Sequence, residues 1–144
     1  MRQATYWRIA GASEPTAHTW RFSSAQTAVG TILAYDGVSA AAPIHASSGQ
    51  PNLASKSITA PSVTTTTPGA LVVDLSGITG KAAVTPASGA TERSEIASTA
   101  ATTYFVSAET ADFVPSQVGA TGNKVATASV TGANIGQLVA LTPE

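Results

Sequence analysis

The sequence predicts an all-β protein, an antiparallel sandwich of jelly-roll type, on three observations. Ala, Thr and Ser make up 65 of the 144 residues while only 10% are charged, a bias suited to many small or Thr-bearing strand positions. Gly or Pro interrupts nearly every helix-length window, and no apolar stripe at helical spacing persists for three turns. Strand-like runs recur between turn signals at intervals of roughly 8–15 residues. A 43% hydrophobic share argues against disorder. The absence of helical crossover segments argues against a parallel sheet.

Nine strands follow in order. Residues 4–10 carry the aromatic and β-branched run Thr-Tyr-Trp-Arg-Ile, and Gly11 to Pro15 form a turn. Residues 19–23 alternate, with Trp20 and Phe22 on one face and Thr19, Arg21 and Ser23 on the other. Residues 29–35 form a mostly apolar run ended by Asp36-Gly37, a turn pair. Residues 39–57, built of Ala, Ser, Pro, Gly and Asn, read as a long connection. Further strands are predicted at 58–66, 70–76, 90–96, 102–108, 124–130 and 135–141.

Two of these runs recur. "AVGTILAYDG" (28–37) aligns with "NIGQLVALTP" (134–143), and "TYWRIAGA" (5–12) with "TYFVSAET" (103–110), which pairs Tyr6 with Tyr104 and Trp7 with Phe105. The second copy has two strands before Thr103 that the first copy lacks before Thr5. The chain therefore reads as one sandwich domain over 1–144, with two related strand sets: a partial one at 1–38 and a fuller one at 58–144. Trp20, sharing its face with Phe22, is expected to anchor the core.

Composition narrows the function. A net charge of −1 gives no basic face for nucleic acid. With no cysteine there is no disulfide framework, thiol nucleophile or thiolate metal site. No apolar run approaches the roughly 20 residues of a membrane span, and no secretory signal pattern is visible. His18 and His45 lack a second ligand at metal spacing, and read as a strand-edge and a loop residue. Glu92 and Glu95, three apart with Arg93 between, are expected on opposite faces of a strand, which disfavours a paired-carboxylate site. Asp36 and Asp74 follow strand runs and suit turn or edge roles, with too few neighbouring acids for a calcium loop. No nucleophile elbow or phosphate loop occurs. No catalytic residue, cofactor or metal is expected.

The strings "TYWRIAGASEPTAHTWRFSSAQTAVGTILAYDGV", "SITAPSVTTTTPGALVV", "TPASGATER" and "GQLVALTPE" resemble a family of β-sandwich modules in phage virion proteins and bacterial surface proteins, most specifically over residues 5–38. Longer members carry a further apolar strand and a Pro-Ala-Gly-Trp turn ahead of the Tyr-Trp-Arg strand, and this chain starts downstream of that segment. The resemblance implies a structural or adhesive role. The expectation is a virion component, such as a capsid decoration (cement) protein, that contacts copies of itself or a major capsid protein. Tyr6 and Trp7 point to opposite sides of their strand, and Arg2, Arg8 and Arg21 outweigh the single Glu14; these five residues are the expected assembly contacts. The alternative is a secreted or cell-surface module that binds glycans through exposed aromatics.

Overall fold

The computed structural model describes residues 1–99 and 104–144 and contains no helix among them. Its strands are β1 (Ile44–Ala60), β2 (Thr64–Thr65), β3 (Leu71–Thr79), β4 (Val84–Thr85), β5 (Thr91–Ala97), β6 (Val106–Phe113), β7 (Gly119–Ala120) and β8 (Lys124–Leu141). Every pairing is antiparallel, in the order β1-β8-β3-β6-β5, with β4 also on β8 and a small β2-β7 pair apart. The all-β antiparallel class is thus as the sequence predicts.

Two long strands make the sandwich by bending. The C-terminal half of β8 pairs with β3, from Leu141 opposite Leu71 to Asn134 opposite Ile78. Its N-terminal half pairs instead with β4, at Ala128 and Thr127. β1 follows β8 along both halves, and its register slips on either side of Ser55. The corner is made of residues that let backbones approach. A Cβ on Gly136 would stand 2.5 Å from the Thr59 carbonyl oxygen and 2.7 Å from the Ala60 nitrogen, while one on Gly132 would collide with the Thr79 carbonyl.

Asn134, 2% exposed, satisfies the backbone groups that the bend frees. Its Nδ2 donates to the carbonyls of Gly132 (3.1 Å), Ser55 and Ser57 (both 3.3 Å), and its Oδ1 accepts from Asn52 Nδ2 at 2.8 Å. The short arm 57–60 and 124–130 thereby folds over the inner face of the main sheet.

The enclosed core is small-grained. Ile58, Ile78, Ala82, Val84, Ala126 and Ala128 pack at one end. Ala60, Val63, Val72, Leu138 and Ala140 pack at the other. Ala at facing positions allows the layers to close without large side chains.

Several sequence expectations are overturned. No strand forms at 4–10, 19–23 or 29–35, because residues 1–36 make no backbone–backbone hydrogen bond to the described residues. The segment read as a connection, 39–57, holds most of the longest edge strand; Pro51 is tolerated there because an edge strand leaves one side of its backbone unpaired. The two predicted strands 124–130 and 135–141 are one strand, continuous through Gly132 and Gly136. Of the predicted strand 102–108, residues 102 and 103 lie outside the described residues, and β6 runs on to Phe113. The repeat partners differ in form as well: 134–141 lies in β8, whereas 28–35 has no strand partner.

The corner gives a direct test. Gly136→Ala forces Thr59 and Ala60 away from β8, and a urea titration should show a loss of about 1–3 kcal/mol. Gly30, where an added Cβ would meet nothing within 4 Å, should accept Ala with a change below about 0.5 kcal/mol.

Candidate assembly surface

Register assigns the two faces of the main sheet. Val72, Asp74, Ser76 and Ile78 of β3 face inward, while Val73, Leu75 and Gly77 face outward. The outer face carries the N-terminal arm, residues 1–36. Gln3 Nε2 donates to the Leu75 carbonyl (3.1 Å) and to Gln137 Oε1 (2.9 Å), and Thr5 Oγ1 donates to the same Gln137 oxygen (3.1 Å). Gly77 makes room for this contact, since a Cβ there would run into the Gln3 amide. At the far end of the arm, Tyr35 donates its hydroxyl to Asp112 Oδ2 at 3.0 Å. Arg93 grips both oxygens of the same carboxylate, at 2.7 and 2.8 Å.

Toward its far end the arm is partly covered without joining the sheet. Thr27, Val29, Thr31, Leu33 and Tyr35 are half-buried, and the residues between them are exposed. That is strand periodicity without strand hydrogen bonds. The large side chains upstream face solvent: Tyr6 is 71% exposed, Trp7 60%, Trp20 61% and Phe22 60%, and Ile9 is also exposed. Trp20 is therefore no core anchor, and the Ala- and Val-based core leaves no space that it fills. Tyr6 and Trp20 stack on each other, with ring centroids 5.3 Å apart and planes at 35°. Arg8 pairs with Glu14, whose other oxygen accepts the Gly11 amide at 2.6 Å, so the predicted turn at 11–15 is held by its own side chain.

Of the five expected contact residues, Tyr6, Trp7, Arg2, Arg8 and Arg21 all sit exposed on this one arm. Arg2 and Arg21 have no carboxylate partner among the described residues.

The other sequence candidates fall elsewhere. His18 is exposed, and His45 Nε2 accepts the Thr66 amide at 3.0 Å. Among the described residues no group of three His, Cys, Asp or Glu side chains could hold a metal. Glu92 and Glu95 are both exposed, but on the same side of β5. A bulge at Arg93 sets Glu92 opposite Ala111 and Glu95 opposite Glu109, two inward positions of β6. Alternation alone does not reveal the extra residue.

Asp74 is not at a turn or an edge. It lies mid-strand and 1% exposed, as does Glu109, diagonally across the β3–β6 pair. All four of their carboxyl oxygens and the Ser76 hydroxyl are buried without a hydrogen-bond partner. Burial pushes the Asp74 carboxyl up to about 6, against the pull of Lys124. Burial, reinforced by Asp74, Glu92 and Glu95, pushes Glu109 up to about 8. Glu109 escapes sequence reading because the predicted strand stops at Ala108.

No family model, curated protein or solved structure matches this chain.

The acids set a pH dependence. Asp74 and Glu109 hold protons in the fold that they release in the unfolded chain. The stability their neutral forms contribute is full below the ordinary carboxylate range and is lost as pH rises through about 6 and then about 8. Asp112 has the opposite sign. Its pair with Arg93 holds its carboxyl below the usual value, and that contribution disappears only as pH falls through the depressed value. Thermal unfolding should therefore show a lower Tm at pH 8.5 than at pH 5, and Glu109→Gln should flatten this slope and raise the Tm at pH 8.5.

Proposed function

We propose that the protein is a structural component of a phage virion, a capsid decoration (cement) protein or another virion-surface element, and that it works through subunit–subunit contacts rather than catalysis. The observation that carries the contact half of this reading is the arm. It concentrates the exposed aromatics Tyr6, Trp7, Trp20 and Phe22 and the cations Arg2 and Arg21 on a segment whose backbone has no strand partner. Exposed apolar groups in one segment mark an interaction surface, and an unpaired extended backbone is the substrate of strand addition. The virion half is supported by the resemblance of residues 5–38 to virion and surface modules. Small Ala, Ser and Thr side chains on the remaining surface suit close approach of neighbouring subunits.

A second reading has one observation in its favour. The tilted Tyr6–Trp20 pair presents exposed aromatic faces, as a glycan-binding module of a secreted or cell-surface protein requires.

Light scattering of the full chain tests the first reading, with a stable oligomer as the expected result. Trp20→Ala should weaken association at least about tenfold while leaving the Tm of the dissociated chain within about 2 °C, since the ring is outside the core. A monomer at all accessible concentrations, combined with glycan binding lost in Trp7→Ala, would move the function to the second reading.

A further inference from the structure

Building on the assembly reading, we infer that residues 19–23 of one copy add as a strand to the free edge of β5 (Thr91–Ala97) in a second copy of this chain. β5 ends the main sheet and pairs only with β6, so its outward backbone groups are open to another strand. The opposite edge, β1, is a poorer acceptor, because Pro51 lacks an amide hydrogen and three register shifts break its line.

The side chains of the two segments match face by face. The outward positions of β5 are Ser94 and Ile96, opposite Thr110 and Ala108, while Glu92 and Glu95 lie on the inward side. Residues 19–23 alternate in the same way, with Trp20 and Phe22 on one face and Arg21 on the other. A strand laid with its aromatics beside Ile96, which is 39% exposed, places Arg21 on the side of Glu92 and Glu95.

Charge favours this placement over others. Arg93, the cation of β5, is engaged by Asp112. Glu92 is exposed and has no cation partner among the described residues, and Arg21 has no anion partner among them. Within one copy, residues 19–23 do not reach this edge: they are exposed and make no backbone–backbone hydrogen bond among the described residues. Donor and acceptor are different segments of the same chain, so the contact closes as a reciprocal two-fold exchange or propagates head-to-tail into rings and arrays.

The chain has no cysteine, so single thiols report the contact cleanly. Two differently tagged full-length variants, Phe22→Cys and Ile96→Cys, are mixed and mildly oxidised. The expected product is a mixed disulfide joining the two tags. Arg21→Glu in the first chain should cut its yield at least about tenfold, and Glu92→Arg in the second should restore most of it. If Ile96→Cys does not fold, Ser94→Cys, the neighbouring outward position of β5, takes its place, with Trp20→Cys or Ser24→Cys, one pair along the donor strand, in the other chain. No cross-link in a chain that light scattering shows to be oligomeric overturns the β5 contact and leaves the assembly reading standing. A cross-link indifferent to both charge reversals overturns the Arg21–Glu92 pairing, and a monomeric chain overturns both readings together.

Discussion

The bend in β1 and β8 is the constraint on which the other features depend. A strand of 18 residues cannot stay in one flat layer and also enclose a core, so it has to turn back over its own sheet. Gly132 and Gly136 give the backbone room to do this, and Asn134 ties together the carbonyls that the turn leaves unpaired. Once the short arm lies over the sheet, the gap between layers is narrow, and Ala60, Ala126, Ala128 and Ala140 fill it. A core of this grain excludes Trp and most Phe. That exclusion is consistent with Tyr6, Trp7, Trp20 and Phe22 lying exposed on the N-terminal arm, while Phe113 packs at the core's margin.

The same geometry leaves two unusual features. The first is the pair of buried acids, Asp74 and Glu109, whose oxygens find no partner between the layers. Buried carboxyls without donors favour the neutral form, and the fold loses stability as Asp74 and then Glu109 give up their protons. The second is the arm itself, anchored to the outer face at Gln3, Thr5 and Tyr35 and without a backbone strand partner. One feature tunes stability with pH. The other gathers exposed aromatics on one unpaired segment.

Much of the class is legible in the sequence, for physical reasons that also explain where the reading fails. Thr-rich, charge-poor runs broken by Gly and Pro can bury enough surface only as sheets, and β3, β5 and β8 fall close to where alternation places them. β1 escapes such a reading because Ala, Ser and Gly carry little strand preference of their own; here strand structure is imposed by pairing with β8. Residues 4–35 mislead in the opposite direction. Their aromatic and β-branched residues suit a pleated, half-buried surface, but no neighbouring strand is present to complete it. Of the candidate surface, the sequence singles out Tyr6, Trp7 and the three arginines, all of them exposed, whereas Trp20, expected in the core, is 61% exposed. The bulge at Arg93 and the buried position of Glu109 depend on register, which one sequence does not reveal.

The body folds around the bent strands while residues 4–35 keep their backbone unpaired within the chain; under the proposed assembly a neighbour supplies the partner. Hydrogen–deuterium exchange on the full chain, dilute and then concentrated, tests it most directly. The account predicts strong protection across 124–141 in both samples. It also predicts fast exchange over 4–35 when dilute, with protection appearing around 19–23 on concentration. Protection of 4–10, 19–23 and 29–35 in the dilute monomer, equal to that of β8, would contradict it and restore these segments as strands of the chain's own sandwich.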